Sequence, residues 1–218
     1  SSAVDPSQTT VAVVGASGVA VEIQESVLSG GSLGGLLQFR NETLANAQNS
    51  LGRIAIALSD TFNAQQNLGV DLNGTPGADF FTQASPGIIS NSRNTGNLVL
   101  TPSFSATSGL TTSDYKLNVT AGPAYTLTRL SDNQAIVLPV GFPGTAATFD
   151  GITLTFASGA ANAGDSFLIQ PTRTGARDLD VVLTDPAKVA AAVPIVTGNT
   201  FGNLGSGAIS AGTGDATF

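Results

Sequence analysis

An α+β fold is predicted by three features of the sequence: a long heptad helix with an N-terminal β-hairpin, followed by an antiparallel all-β domain, a sandwich or small barrel. Leu37, Leu44, Leu51 and Leu58 recur every seven residues. Seven short runs of strand character, separated by turn residues, fill residues 97 to 184. Two further β-rich runs, TTVAVV and VAVEI, stand near the start of the chain.

In chain order, Asp5-Pro6-Ser7 opens a loop. The two β-rich runs flank Gly15-Ala16-Ser17-Gly18, which is turn chemistry, so a hairpin is expected there. Residues 32 to 66 then carry the leucine stripe, extended backward by Leu33 and filled at adjacent positions by Ala47, Ile54, Ala55 and Phe62. Gln38, Asn41, Gln48, Arg53 and Asp60 fall on other faces. At 1.5 Å per residue the helix is about 50 Å long. Each leucine contributes about 1.5–3 kcal/mol if covered, and no comparable second helix follows in the chain. The cover is therefore expected from outside these residues or from another subunit. Leu33, Leu37, Leu44, Leu51, Ile54, Leu58 and Phe62 form the candidate packing and assembly surface.

Asn-Gly and Pro-Gly turns in LGVDLNGTPGADFF (68 to 81) are expected to anchor Phe80 and Phe81 in a core. The strand runs are NLVLTPSF, DYKLNVTA, AYTLTRL, QAIVLPV, GITLTF, DSFLIQP and DLDVVLT. Gly122-Pro123, Asp132-Asn133, Asp150-Gly151 and Gly164-Asp165 punctuate them. Asp185-Pro186 should start a short helix over Ala187 to Ala192, with Asp185 as its cap. The remainder is Gly-, Thr- and Asn-rich loop, with one possible short strand at Gly207 to Ser210.

Composition narrows the function. The 218 residues are 41% hydrophobic but only 11% charged, with a net charge of −7. The eight basic residues lie singly and form no stripe for a phosphate backbone, so nucleic acid is not an expected partner. No apolar run approaches the ~18 residues of a membrane span. Neither a starting Met nor a signal peptide is present, so the chain is expected to be a fragment or a processed product.

Gly30-Gly31-Ser32-Leu33-Gly34 spells G-x-S-x-G, the nucleophile elbow of many serine hydrolases. That chemistry needs an imidazole base, and the chain has no His. Ser32 is instead expected to cap the helix. With no Cys there is no thiolate chemistry, disulfide or sulfur-ligated zinc. A calcium loop starting at Asp71 would need Gly and Glu where Pro76 and Thr82 stand. Ser113-Asp114-Tyr115-Lys116 matches S-x-x-K without the K-T-G strand that accompanies it in penicillin-binding enzymes. No catalytic, cofactor or metal residue is therefore assigned. A secreted β-sandwich adhesin or glycan-binding module is the alternative from another class. It is poorly provided for, because Tyr115 and Tyr125 are the only tyrosines and Trp is absent.

The run GGSLGGLLQFRNETLANAQNSLGRIAIALSDTFNAQQNLGVDLNGTPGADFF resembles the flagellar hook-associated protein 1 family of hook–filament junction proteins. SDYKLNVTAGPAYTLTRLSDN, FDGITLTF, GDSFLIQPT and VVLTDPAKVAAA resemble the same family in the same order, so that most of residues 18 to 192 are covered. The resemblance implies a non-enzymatic, extracellular flagellar subunit, exported unfolded by the flagellar type III apparatus. It implies a ring of such subunits between hook protein and a neighbouring hook-associated protein, with terminal helices outside this chain mediating polymerisation. It also implies a helical middle domain at 1–92, an outer β domain at 93–184, and a short return helix with loop at 185–218.

Overall fold

A computed structural model describes residues 2–16, 18, 20–121 and 124–192, together with 202, 205 and 206. The chain divides into two compact units, Ser1–Ile54 with Ala84–Arg177, and Ala55–Gln83 with the chain from Asp178 on.

The first unit begins with a loop in which the Asp5 carboxylate accepts from the Ser7 amide and hydroxyl and from Gln8 Nε2. Strands β1 (Ala12–Val14) and β2 (Ala20–Glu22) pair antiparallel, with Val13 opposite Val21. A 3₁₀ turn at Glu25–Val27 leads into the long helix. That helix has three segments: α1 (Gly31–Gln38), a π-helical stretch (Phe39–Leu44) and α2 (Ala45–Asn67). Alanines at 45, 47, 55, 57 and 64 favour α2. It stops short of Gly69, whose N–H turns back to the Gln66 carbonyl at 3.2 Å.

The helix entry corrects the expected cap. Gly30 is the N-cap and no side chain bonds there, while Ser32 lies exposed inside the first turn. A cap hydroxyl acts from the residue before the helix onto amides two or three positions on, and Ser32 is already past that place. The glycines of the motif do the shaping. Gly31 takes φ 67°, in the left-handed region, and a Cβ on Gly34 would sit 2.7 Å from the Leu28 carbonyl oxygen.

The β region of this unit forms two open antiparallel sheets. One runs β3 (Gly87–Ser90), β10 (Ser166–Gln170), β5 (Tyr115–Thr120), β6 (Ala124–Arg129), β7 (Gln134–Ile136). The other runs β4 (Val99–Phe104), β9 (Ile152–Ser158), β8 (Ala147–Phe149). Alternation puts Tyr115, Leu117 and Val119 of β5 inward, with Leu127, Ile152, Leu154 and Leu100. β10, flanked by β3 and β5, is buried at all five positions. The sheets meet where Tyr115 packs edge-on against Phe149, ring centroids 5.0 Å apart. β8 and β9 are joined by Asp150-Gly151, both at positive φ, the two-residue hairpin turn that an Asp-Gly pair favours.

Several elements differ from expectation. β3 and β8 lie in stretches not read as strands. QAIVLPV pairs only as far as Ile136, before a proline at 139 that has no N–H to give a ladder. Pro102 is accommodated because β4 is an edge strand.

In the second unit, Phe62 of α2 stacks with Phe80 and Phe81 at centroid distances of 4.9 and 5.3 Å. Both loop phenylalanines are half-buried. Asp71 spends both carboxylate oxygens on Asn73 and Thr75 within its own turn. The Thr75 hydroxyl and amide, aided by Asn73, hold its pKa down to about 2. DLDVVLT makes no strand; Val181 forms a single bridge to Phe81, and the Val182 amide donates to the Phe80 carbonyl. The expected α-helix at 187–192 is a 3₁₀ turn, Pro186–Lys188, with the Asp185 carboxylate accepting from the Ala187 amide at 3.0 Å. Beyond it the backbone is drawn away: Ala190 N–H donates to Gln66 Oε1 and Ala192 bridges Val70. The possible strand at 207–210 lies outside the described residues.

A candidate assembly surface on the long helix

The side of α2 that packs against its own chain is not the leucine side. Its buried positions are Asn49, Gly52, Ala55, Ile56, Ser59, Asn63 and Gln66. At 100° per residue they share one face, and only Ile56 among them is a large apolar residue. Close approach and amide hydrogen bonds hold this face. A Cβ on Gly52 would fall 1.7 Å from the Thr172 carbonyl oxygen, so the backbones touch only because residue 52 has none.

In the first unit, Asn49 Nδ2 donates to the Thr112 carbonyl and to Asp114 Oδ1, both at 3.0 Å. Asp114 also takes Gln170 Nε2 at 3.3 Å and is paired with Arg173. In the second unit, Asn63 donates to the Phe81 carbonyl and accepts from the Phe80 and Phe81 amides, each at 2.9 Å. Gln66 donates to the Lys188 carbonyl at 2.9 Å and accepts from Ala190. Sequence reading missed this row. Its signal is Asn49, Gly52, the pair Ala55-Ile56, Ser59, Asn63 and Gln66 recurring every three to four residues.

The leucine side is exposed. Leu44, Leu51, Ile54, Leu58 and Phe62 are 43%, 60%, 65%, 48% and 41% exposed. An apolar stripe this long on one helix is the kind of surface that marks an interaction site. Leu33 is likewise exposed, but Leu37 is buried, so these two do not share one environment as the heptad predicted. Leu36 and Phe39, which the heptad did not include, are exposed.

The remaining sequence candidates assemble no chemistry. Ser32 is exposed with no base beside it in the sequence's own inventory, since the chain has no His. Ser113 enters a strand rather than a helix, and its hydroxyl accepts from the Ser131 amide. Tyr115 is 0% exposed. Its hydroxyl lies 2.6 Å from Asp150 and 2.8 Å from Thr111, and burial pushes its pKa up. Tyr125 packs on Phe142. Neither offers the free aromatic rim that a glycan site needs. Among the described residues, no group of acidic residues is arranged to hold a metal ion, and no helix is long and apolar enough to cross a membrane.

Known proteins are similar to this chain. The family described as flagellar hook-associated protein FlgK helical domain matches residues 1–81, and flagellar hook-associated protein 1, D2-like domain, matches residues 89–171. Flagellar hook-associated protein 1 of Escherichia coli (strain K12) is 37% identical over 191 residues, 88% of this chain and 34% of its own length. The protein of the same name from Salmonella typhimurium is 38% identical over 192 residues, with the same shares. The solved structure of the flagellar hook junction protein FlgK from Burkholderia pseudomallei superposes with a TM-score of 0.78 at 36% identity, over 87% of this chain and 35% of that one. The chain thus spans about a third of the length of the relatives it matches. At this identity and coverage, with the same α+β architecture, the chain belongs to the flagellar hook-associated protein 1 family.

Proposed function

We propose that this chain is the middle part of a structural, non-enzymatic subunit at the junction between hook and filament of a bacterial flagellum, outside the cell. The observation that carries the reading is the inverted helix. Polar and small residues are spent on the chain's own packing, and the leucine seam is left uncovered. A seam of this kind is stable only when another apolar face covers it. In this reading the cover comes from parts of the same polypeptide beyond these residues, and the assembled subunits form a ring against hook protein and the next hook-associated protein. Residues 1–92 serve as a helical middle domain, 93–184 as the outer domain, and 185–218 as the return.

The full-length protein carrying Leu44→Asp together with Leu51→Asp tests this. The expected outcome is loss of junction assembly and of swimming, with a lower melting temperature. Unchanged motility and stability would overturn the proposal.

A further inference from the structure

A repeat of seven residues keeps one line along a helix only while the helix stays α. Between Leu37 and Leu44 it does not, because Phe39–Leu44 is π-helical. A π turn takes up roughly one residue more than an α turn, so α1 is rotated against α2 by about the 100° of one residue. The exposures of Leu36, Leu37 and Phe39 follow that rotation, while Leu33, in the first turn of α1, stays 45% exposed. Leu37 is 9% exposed while its heptad mates Leu44 and Leu51 are 43% and 60% exposed. Leu36 and Phe39 are 66% and 56% exposed.

Specific contacts hold the π turn. Glu25, in the preceding 3₁₀ turn, is paired with Arg40 and accepts from Asn41 Nδ2 at 2.7 Å. Arg40 Nη1 also donates to the Thr9 carbonyl at 2.8 Å, and Gln38 Nε2 donates to Glu42 at 3.0 Å. Burial pushes the Glu25 carboxyl up, but the bonds from Arg40 and Asn41 outweigh it and leave the pKa lowered. Leu37 lines the same cleft as Glu25, Gln38 and Asn41, together with Leu28 and Gly34, where no Cβ on residue 34 would fit.

We propose that this π turn is a register key for docking, an assignment that rests on the seam being covered in the whole protein. It withdraws Leu33 and Leu37 from the seam and presents Leu36 and Phe39 in continuation of Leu44 and Leu51. The occupant is an apolar helix from the part of the polypeptide outside these 218 residues. Length supports that source: the matched region is 34% of the relatives' length, leaving two thirds to supply it. Charge supports the chemistry. The seam is flanked by Ala47, Gln48 and Ala55, while the charged residues of α2, Arg53 and Asp60, project from a different sector of the helix, so no acidic or basic partner is selected.

The absence of cysteine in this chain makes the test direct. In the full-length protein, freed of any other cysteine, Leu33→Cys, Phe39→Cys, Leu44→Cys and Leu51→Cys are compared by their rates of reaction with a maleimide. The expected result is protection of Phe39→Cys, Leu44→Cys and Leu51→Cys by at least about tenfold relative to Leu33→Cys, the signature of sites that react only on local opening. Protection of Leu33→Cys equal to or greater than that of Phe39→Cys, with Leu44→Cys and Leu51→Cys still protected, overturns the register key and leaves the seam standing. Free reaction at Leu44→Cys and Leu51→Cys overturns the seam itself and the key with it. Hydroxyl-radical footprinting of the unsubstituted full-length protein reads the same contrast, Phe39 protected and Leu33 oxidised, without depending on any variant's folding.

Discussion

In the β lobe the inward positions are Tyr115, Leu117, Leu154 and Ile169, all 0% exposed, and the exposed alternate positions are largely polar. On α2 the inward positions are Asn49, Gly52, Ala55, Ile56, Ser59, Asn63 and Gln66, polar or small except for Ile56, and the leucines face out. Both are amphipathic and both obey their own period, 2 for a strand and 3.6 for a helix. The difference lies in what each has finished. The lobe has buried Tyr115, Leu117, Leu154 and Ile169 within this chain, although Val99 and Phe156 on its second sheet stay half exposed. The helix uses backbone contact and amide hydrogen bonds where it meets its own chain, and holds its apolar face for something else.

The sharpest way to break that contrast is to make a cavity on each side. Leu117 lies on β5 between β10 and β6, with no exposure. Leu117→Ala is expected to destabilise the first unit by about 2–5 kcal/mol. Urea unfolding followed by near-ultraviolet signal of the lobe tyrosines measures it. A loss below about 1 kcal/mol would mean that the lobe, too, depends on cover from elsewhere.

A smaller loss is expected where the helix holds its own chain by hydrogen bonds. Asn63 is 6% exposed and makes three bonds to the backbone of Phe80 and Phe81. Asn63→Ala is expected to cost about 1–3 kcal/mol in the second unit, the penalty of buried groups left unpaired, because the half-buried loop lets water recover part of the loss. Hydrogen exchange at the Phe80 and Phe81 amides reads it directly: both should exchange faster. Unchanged protection would show that the aromatic trio with Phe62, and not the amide, holds the loop.

The sequence made the helix legible because leucines at a fixed interval of seven admit little else. It did not reveal which face turns inward, since that depends on what lies against each side: Leu44, Leu51, Ile54 and Leu58 stay largely exposed, and of the stripe's α2 residues Phe62 is the one stacked on the rings of Phe80 and Phe81. The π turn was hidden for a related reason. Reading periodicity assumes a constant angle per residue, and one slow turn moves Leu37 inward while Leu36 and Phe39 move out. Ser32 attracted notice through its motif, yet Gly31 and Gly34 are the residues that the helix entry requires. In the β region, Asp150-Gly151 was legible as a turn and GITLTF as the strand after it, but the short strand before it, Ala147–Phe149, was not. DLDVVLT had strand composition but found only Phe81 opposite Val181, because pairing needs a neighbour as well as a propensity.

The smallest expected effect separates the two regions most cleanly. Leu51 stands on α2 about three turns before the Phe62 cluster and is 60% exposed. In the chain of 218 residues, Leu51→Gln removes little apolar burial and introduces no β-branch while keeping good helix propensity, so its stability should change by no more than about 0.5 kcal/mol. If the seam is covered in the longer protein, the same substitution there leaves a polar amide in an apolar contact and costs about 1.5–3 kcal/mol. Measuring both by urea unfolding turns one residue into a gauge of the missing cover. Equal small effects in the two proteins would mean that nothing docks on Leu51. An effect above 1 kcal/mol already in the short chain would mean that the exposed side of α2 is packed there, against the inverted arrangement on which the contrast with the β lobe depends.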